Sequence, residues 1–167
     1  MTQTPFIHLR KLEPDDLPLL YAWENDADAW QDGSTHNPLS QEDLRNYIMQ
    51  TTGDIYRDGQ LRLMICSADA DEPVGCVDLY DVDVRNRKAA VAIYVAKESR
   101  NQGVARQALK QTISYVSRIL QFRLLYAFVR KTNTASMKAF QSAGFQMVAC
   151  IPNWTLEDDA CLLISVV

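Results

Sequence analysis

Two short stretches of the chain stand out, and the first carries residue types suited to holding a phosphate. Arg100-Asn101-Gln102-Gly103-Val104-Ala105 lies between an apolar run ending at Val95 and a helical pattern beginning near Val104. A helix amino-terminus presents unsatisfied N–H groups and a partial positive charge, so a one-glycine turn at that place suits a diphosphate. Gly103 fits where backbone must approach a phosphate closely, Ala105 keeps the next exposed position small, and Arg100 and Arg106 add charge. The same junction is also common turn chemistry, and neither the dinucleotide glycine motif nor the P-loop motif occurs. The second stretch, Asn133-Thr134-Ala135-Ser136, opens a short helix that ends in Ala143-Gly144-Phe145, with Asn133 as N-cap and Gly144 as terminator.

Periodicity supplies the elements that must position these residues. Phe6 to Leu12 alternates with the period of a half-buried strand. Pro14-Asp15-Asp16 opens a helix with an apolar face of Leu17, Leu20, Tyr21 and Trp23. Ser40-Gln41-Glu42-Asp43 resembles a capping box ahead of Leu44, Tyr47, Ile48 and Thr51, a helix ended by the stretch Gly53 to Gly59. Leu61 to Ser67, Val74 to Val82 and Ala89 to Val95 read as a meander of three strands. The period then changes: Val104, Ala108, Leu109, Ile113, Val116, Ile119 and Leu120 mark a helix. Leu124 to Val129 is a strand, Ala135 to Ala143 a helix, and Phe145 to Ile151 and Ala160 to Val167 the last strands, giving the order βααβββαβαββ. The irregular stretches near residues 29 to 39 and 152 to 159 are the expected substrate loops. No repeat, linker or low-complexity tract is visible, so residues 1–167 read as one unit.

The segment from Ala89 to Phe145 resembles the GNAT superfamily of N-acetyltransferases. Its signature of Arg or Gln, two residues, Gly, one residue, then Gly or Ala matches Arg100, Gly103 and Ala105; its later Asn, short helix and Gly-Phe pair match Asn133, Gly144 and Phe145. Phe6 to Leu12 and Val74 to Tyr80 look most like the branch that contains spermidine acetyltransferases and the enzymes acetylating ribosomal-protein amino-termini. The resemblance implies an α+β fold of three layers around a mixed, mostly antiparallel sheet of about seven strands. It implies acetyl-CoA as cosubstrate and a primary amine as acceptor: a small amine, a polyamine or a peptide amino-terminus. The amides of Gln102, Gly103, Val104 and Ala105 would hold the pyrophosphate, with Arg100 and Asn101 also at the cofactor. The strand edge Ile93-Tyr94-Val95 would bind the pantetheine arm, and Asn133, Ser136 and Phe140 would line its other side.

Acetyl transfer from a thioester requires an uncharged amine, whereas an alkyl ammonium with a pKa near ~10.4 is mostly protonated at neutral pH. The oxyanion formed on attack needs a positioned N–H, and a thiol leaving group needs little help from an acid. Many relatives carry a glutamate where this chain has Ala90 and a tyrosine where it has Phe140; neither replacement transfers a proton. Asp78 is the expected base, with a solvent-facing strand carboxylate as the competing reading. Asp78 and Asp81 differ by an odd number, so a regular strand puts them on opposite faces. Ser136 is the expected acid, with capping or cofactor contact as its other reading, and Tyr94 and Tyr126 lie nearby in the inferred sheet.

Composition narrows the alternatives. With 17 Lys and Arg against 21 Asp and Glu, the net charge of −4 disfavours a nucleic-acid binder. The absence of a basic segment leading an apolar one, and of any long apolar run, predicts a soluble cytoplasmic chain with no membrane partner. Cys66, Cys76, Cys150 and Cys161 read as buried free thiols in a reducing compartment. His8 and His36 are too few and too far apart for a metal site or triad, so no metal is expected. The tryptophans Trp23, Trp30 and Trp154 read as core or loop anchors. Glu24, Asp26, Asp28 and Asp32 read as a solvated helix end that would favour a polyamine if it faced the cleft. A homodimer is compatible with this reading. The competing function is a catalytically silent acetyl-CoA sensor, suggested by Ala90 and Phe140; a nucleotide-binding fold would need repeated βαβ units where the meander stands.

Overall fold

The computed structural model describes residues 6–27, 30 and 37–167. The expected loop at 29–39 therefore falls largely outside the described residues, as do Asp28, Asp32 and His36. In chain order the elements are β1 (Ile7–Lys11), α1 (Leu17–Glu24), α2 (Gln41–Gln50), α3 (Ile55–Asp58), β2 (Leu61–Ser67), β3 (Pro73–Asp83) and β4 (Lys88–Val95). They continue with α4 (Val104–Arg118), β5 (Leu124–Arg130), α5 (Thr134–Ala143), β6 (Gln146–Ile151) and β7 (Ala160–Val166). The seven strands form one sheet in the order β1-β2-β3-β4-β5-β7-β6. Every neighbouring pair is antiparallel except β4 and β5, which the α4 crossover makes parallel.

Alternation along the strands gives the sheet two different faces. Ile65, Val77, Leu79, Ala89, Val91, Leu125, Ala127 and Leu163 point to one side, where they bury against Val104, Ala108, Leu109 and Val116 of α4 and Phe140 and Ala143 of α5. Met64, Cys66 and Cys76 point to the other, against Leu20 of α1 and Leu44 and Ile48 of α2. The result is three layers, helices on both faces of a mixed sheet. The second helical cover lies over β2 and β3 and leaves the opposite half of that face to loops. Gly75 lets β3 and β4 approach at Val95, since a Cβ there would overlap the Tyr94 carbonyl.

Three local features depart from the sequence reading. The stretch from Gly53 to Gly59 contains a further one-turn helix, α3, because the Asp54 side chain accepts from Tyr56 N–H and Gly59 closes the turn in the left-handed region. Strand β3 is bulged: its register with β4 shifts between Tyr80 and Asp83, and Asp81 has φ +48°. The extra residue cancels the alternation that was to separate Asp78 from Asp81. Cys150 and Cys161 are disulfide-bonded, leaving only Cys66 and Cys76 as buried free thiols. The pairing follows from the β6–β7 register, which sets those two residues directly opposite with Cα atoms 4.1 Å apart.

The junction from β1 into α1 depends on one buried ion pair. Arg10 donates from both terminal nitrogens to the two oxygens of Asp16 at 2.8 Å each, and Glu13 N–H donates to the same carboxylate at 2.8 Å. Burial alone would push the Asp16 carboxyl up, but these bonds outweigh it and hold the group below its usual range. A depressed folded pKa contributes stability above the unfolded value near ~3.9 and loses it as pH falls through the folded value. Asp16→Asn is therefore expected to cost roughly 1–3 kcal/mol at pH 7, with its deficit against the parent shrinking in urea titrations below about pH 4.

Candidate active site

Strands β4 and β5 pair only at Lys88 with Leu124, Ala89 with Leu125 and Ala90 with Tyr126. Both continue beyond that point, to Val95 and to Arg130, without pairing to each other. Two parallel strands thus part within the sheet, and Val91 to Val95 present a backbone edge with no strand partner on the β5 side. Buried backbone polar groups require partners, so an edge of this kind is fitted to an extended ligand.

The glycine turn lies at the open end of this gap. Asn101 (φ +60°) and Gly103 (φ +78°) both adopt the left-handed conformation, bracketing Gln102. Such alternation turns successive N–H groups towards one point, forming an anion-binding concavity. Gly103 is the N-cap of α4, and the first helical bond runs from Gln107 N–H to its carbonyl at 3.1 Å. The amides of Val104, Ala105 and Arg106 hence have no partner within the helix, and the helix dipole adds to their positive field. Arg100 closes the turn by donating from Nε to the Val95 carbonyl at 2.9 Å while its guanidinium lies over the Tyr94 ring. These residues can hold an anionic group of diphosphate size.

The facing wall comes from β5 and α5. Asn133 caps α5 by accepting from Ser136 N–H at 3.0 Å, and with Arg130, Thr132, Thr134 and Ala135 it lines a hollow of about 290 Å³. Ser136 is half-buried on the first turn of that helix. Phe140, expected beside it, is 2% exposed in the core and edge-on to Phe145. It lies one turn deeper, on the face of α5 that packs against the sheet. The loop between β6 and β7 is pinned to this wall: Asp158 accepts from the amide and hydroxyl of Thr132 at 2.8 and 2.6 Å, and Trp154 stacks on Phe128 at 5.3 Å.

The sheet face below α1 and α2 holds the charged groups. Arg62, only 15% exposed at its side chain, donates to both oxygens of Asp78 at 2.5 and 2.9 Å and to Glu24 at 2.5 Å. Asp78 is on the face expected of it, but both its oxygens are engaged by the guanidinium. Arg62 and Glu24 were not singled out from sequence as its partners. A visible signal was an arginine set inside the apolar run Leu61 to Cys66. Asp26 and Tyr94, with Ala22, Trp23, Ala96, Lys97 and Glu98, line a second hollow of about 400 Å³ at the end of β4. Two carboxylates around one guanidinium leave this cluster net negative. Of the four acids expected at the end of α1, Glu24 and Asp26 thus face the sheet rather than bulk solvent.

The two free thiols lie on the same face. Burial pushes Cys76 and Cys66 up, so both stay protonated and neither is an activated nucleophile. Arg62→Met, which strands Glu24 and Asp78, is expected to cost about 3–5 kcal/mol in chemical denaturation, and adding Asp78→Asn recovers part of the loss.

The chain matches the Acetyltransferase (GNAT) domain family over residues 7–146. Spermidine N(1)-acetyltransferase of Escherichia coli (strain K12) is 25% identical over 145 residues, covering 84% of this chain and 73% of that protein. Among solved structures, spermidine N-acetyltransferase from Vibrio cholerae, in complex with CoA and spermine, superposes with a TM-score of 0.86 at 20% identity, covering 96% of this chain and 95% of the other. Ribosomal-protein-S5-alanine acetyltransferase from Vibrio fischeri gives 0.84 at 13% identity, covering 96% and 92%. The parted strands, the glycine turn and the family match over most of the length agree: the chain belongs to the GNAT family of N-acetyltransferases.

Proposed function

We propose that the chain binds acetyl-CoA in the gap between β4 and β5 and transfers its acetyl group directly to a cationic amine, with polyamines as the favoured class. The observation that carries this reading is the open edge of β4 running into a turn that ends in the first amides of α4, which have no partner within the helix. The amides of Gln102, Gly103, Val104 and Ala105 receive the pyrophosphate, assisted by Arg100 and Asn101. The edge Ile93-Tyr94-Val95 receives the pantetheine arm, and Asn133 and Ser136 line the arm from α5. Acetyl-CoA supplies a thioester carbonyl activated for attack by nitrogen.

The acceptor enters from the α1 and α2 side, since α4 and α5 fill the other face. There Glu24, Asp26 and Asp78 favour a cation, while Phe128 and Trp154 supply an aromatic wall for its methylene chain. Asp78, locked to Arg62, acts in this reading as part of the acidic wall and not as the first proton acceptor. The protonated state of Cys66 and Cys76 supports direct attack over an acetyl-enzyme.

A thiol-release assay with spermidine, spermine, a simple alkylamine and an alanine-ended peptide is expected to show the highest kcat/KM with the polyamines. Tight acetyl-CoA binding without turnover of any of them contradicts the reading. Gly103→Val, which forces a β-branched residue into the left-handed region, is expected to weaken acetyl-CoA binding about tenfold by calorimetry, the equivalent of 1–2 kcal/mol of strain.

A further inference from the structure

We propose that Asp81 and Tyr126 form the proton relay for acetyl transfer, doing the work for which Ala90 and Phe140 leave no group; this rests on the transferase reading above. Tyr126 is the last residue of β5 paired with β4, directly beside Ala90, so it marks the vertex at which the strands part. Its neighbours Leu125 and Ala127 are buried under α4 and α5, which places the Tyr126 ring on the acceptor face. The Tyr126 hydroxyl donates to Asp81 Oδ2.

Asp81 reaches that hydroxyl because of the bulge. A left-handed aspartate is less favourable than an extended one, and the bulge holds it. Here it brings a second carboxylate to the face of Asp78, and unlike Asp78 it is exposed and held by a neutral hydroxyl, not by a guanidinium. Burial and the Asp81 charge push Tyr126 above its ordinary range, so at neutral pH it is a hydroxyl able to donate and accept at once. Three other titratable groups face it: Tyr80 and Asp83 of β3, and Lys88 of β4, whose ammonium lies 5.9 Å from the ring centre.

The chemistry balances within this pair. An amine nitrogen that has lost its ammonium proton to solvent forms the C–N bond as the carbonyl electrons move to oxygen, leaving a cationic nitrogen with a proton to lose. That proton passes to the Tyr126 oxygen while the Tyr126 proton passes to Asp81. Return of the oxygen electrons breaks the C–S bond, the pair departs on sulfur, and the proton on Asp81 travels back through Tyr126 to the thiolate. Amide and thiol are released, and both residues end as they began.

Tyr126→Phe and Asp81→Asn, tested separately with acetyl-CoA and spermidine, are each expected to lower kcat about 100-fold while leaving the dissociation constant of acetyl-CoA within about twofold. The double variant falls no further than about the worse single one, because the residues act as a unit. Asp81→Asn also lowers the pH at which the Tyr126 phenol ionises, read from ultraviolet absorbance as the difference from Tyr126→Phe. Asp81 is exposed on the β3 bulge, so its variant tests the pair even if the Tyr126 variant fails to fold. Turnover of both variants within about twofold of the parent, or an unmoved phenol titration, overturns the relay alone. A parent protein that acetylates no amine overturns the transferase reading with it.

Discussion

A parallel pair of strands that begins hydrogen-bonded and then parts is the constraint from which the site follows. The α4 crossover makes β4 and β5 parallel, and their pairing stops at Ala90 and Tyr126 while both strands run on. The backbone groups released on β4 need partners, which water or an extended polar ligand can supply. The same crossover puts the amino-terminus of α4 at the mouth of the gap. In the proposed reading, the diphosphate end and the arm of one ligand are addressed by consecutive backbone, so donor binding does not depend on the glutamate and tyrosine common in relatives.

The sheet has two unlike faces, and the proposed function assigns the acceptor to one of them. Helices α4 and α5 fill the other face with core packing. The acceptor face carries Asp78 and Glu24 around a single arginine, Asp26 near Tyr94, and Asp81 on its bulge. The hairpin loop between β6 and β7 contributes Trp154 through its stack on Phe128 and is held in place by Asp158 on Thr132, two residues from the first turn of α5. One loop thus touches both the acceptor wall and the cap of the donor wall.

Periodicity made the elements legible because each one is amphipathic over its own length. Strand β2 occupies Leu61–Ser67 as expected, and α4 begins at Val104. The Ser40 and Asp43 side chains form the reciprocal cap anticipated for α2. The glycine turn was legible for a similar reason, since its chemistry is local. What escaped depends on register or on distance in sequence. The Cys150–Cys161 bond required knowing which residues of β6 and β7 face each other. The contact of Asp81 with Tyr126 joins residues 45 apart and required a bulge that alternation cannot announce. The depth of Phe140, placed by analogy with a tyrosine and buried in the core, likewise depends on how α5 packs on the sheet.

Amide hydrogen exchange with and without acetyl-CoA tests the central claim most directly, because the account assigns the donor to backbone. Binding is expected to slow exchange at Val91 to Ala105 and at Asn133 to Met137, leaving β1 and β2 unchanged. Saturating acetyl-CoA that protects neither segment, or protects residues away from the parting of β4 and β5, would contradict the account.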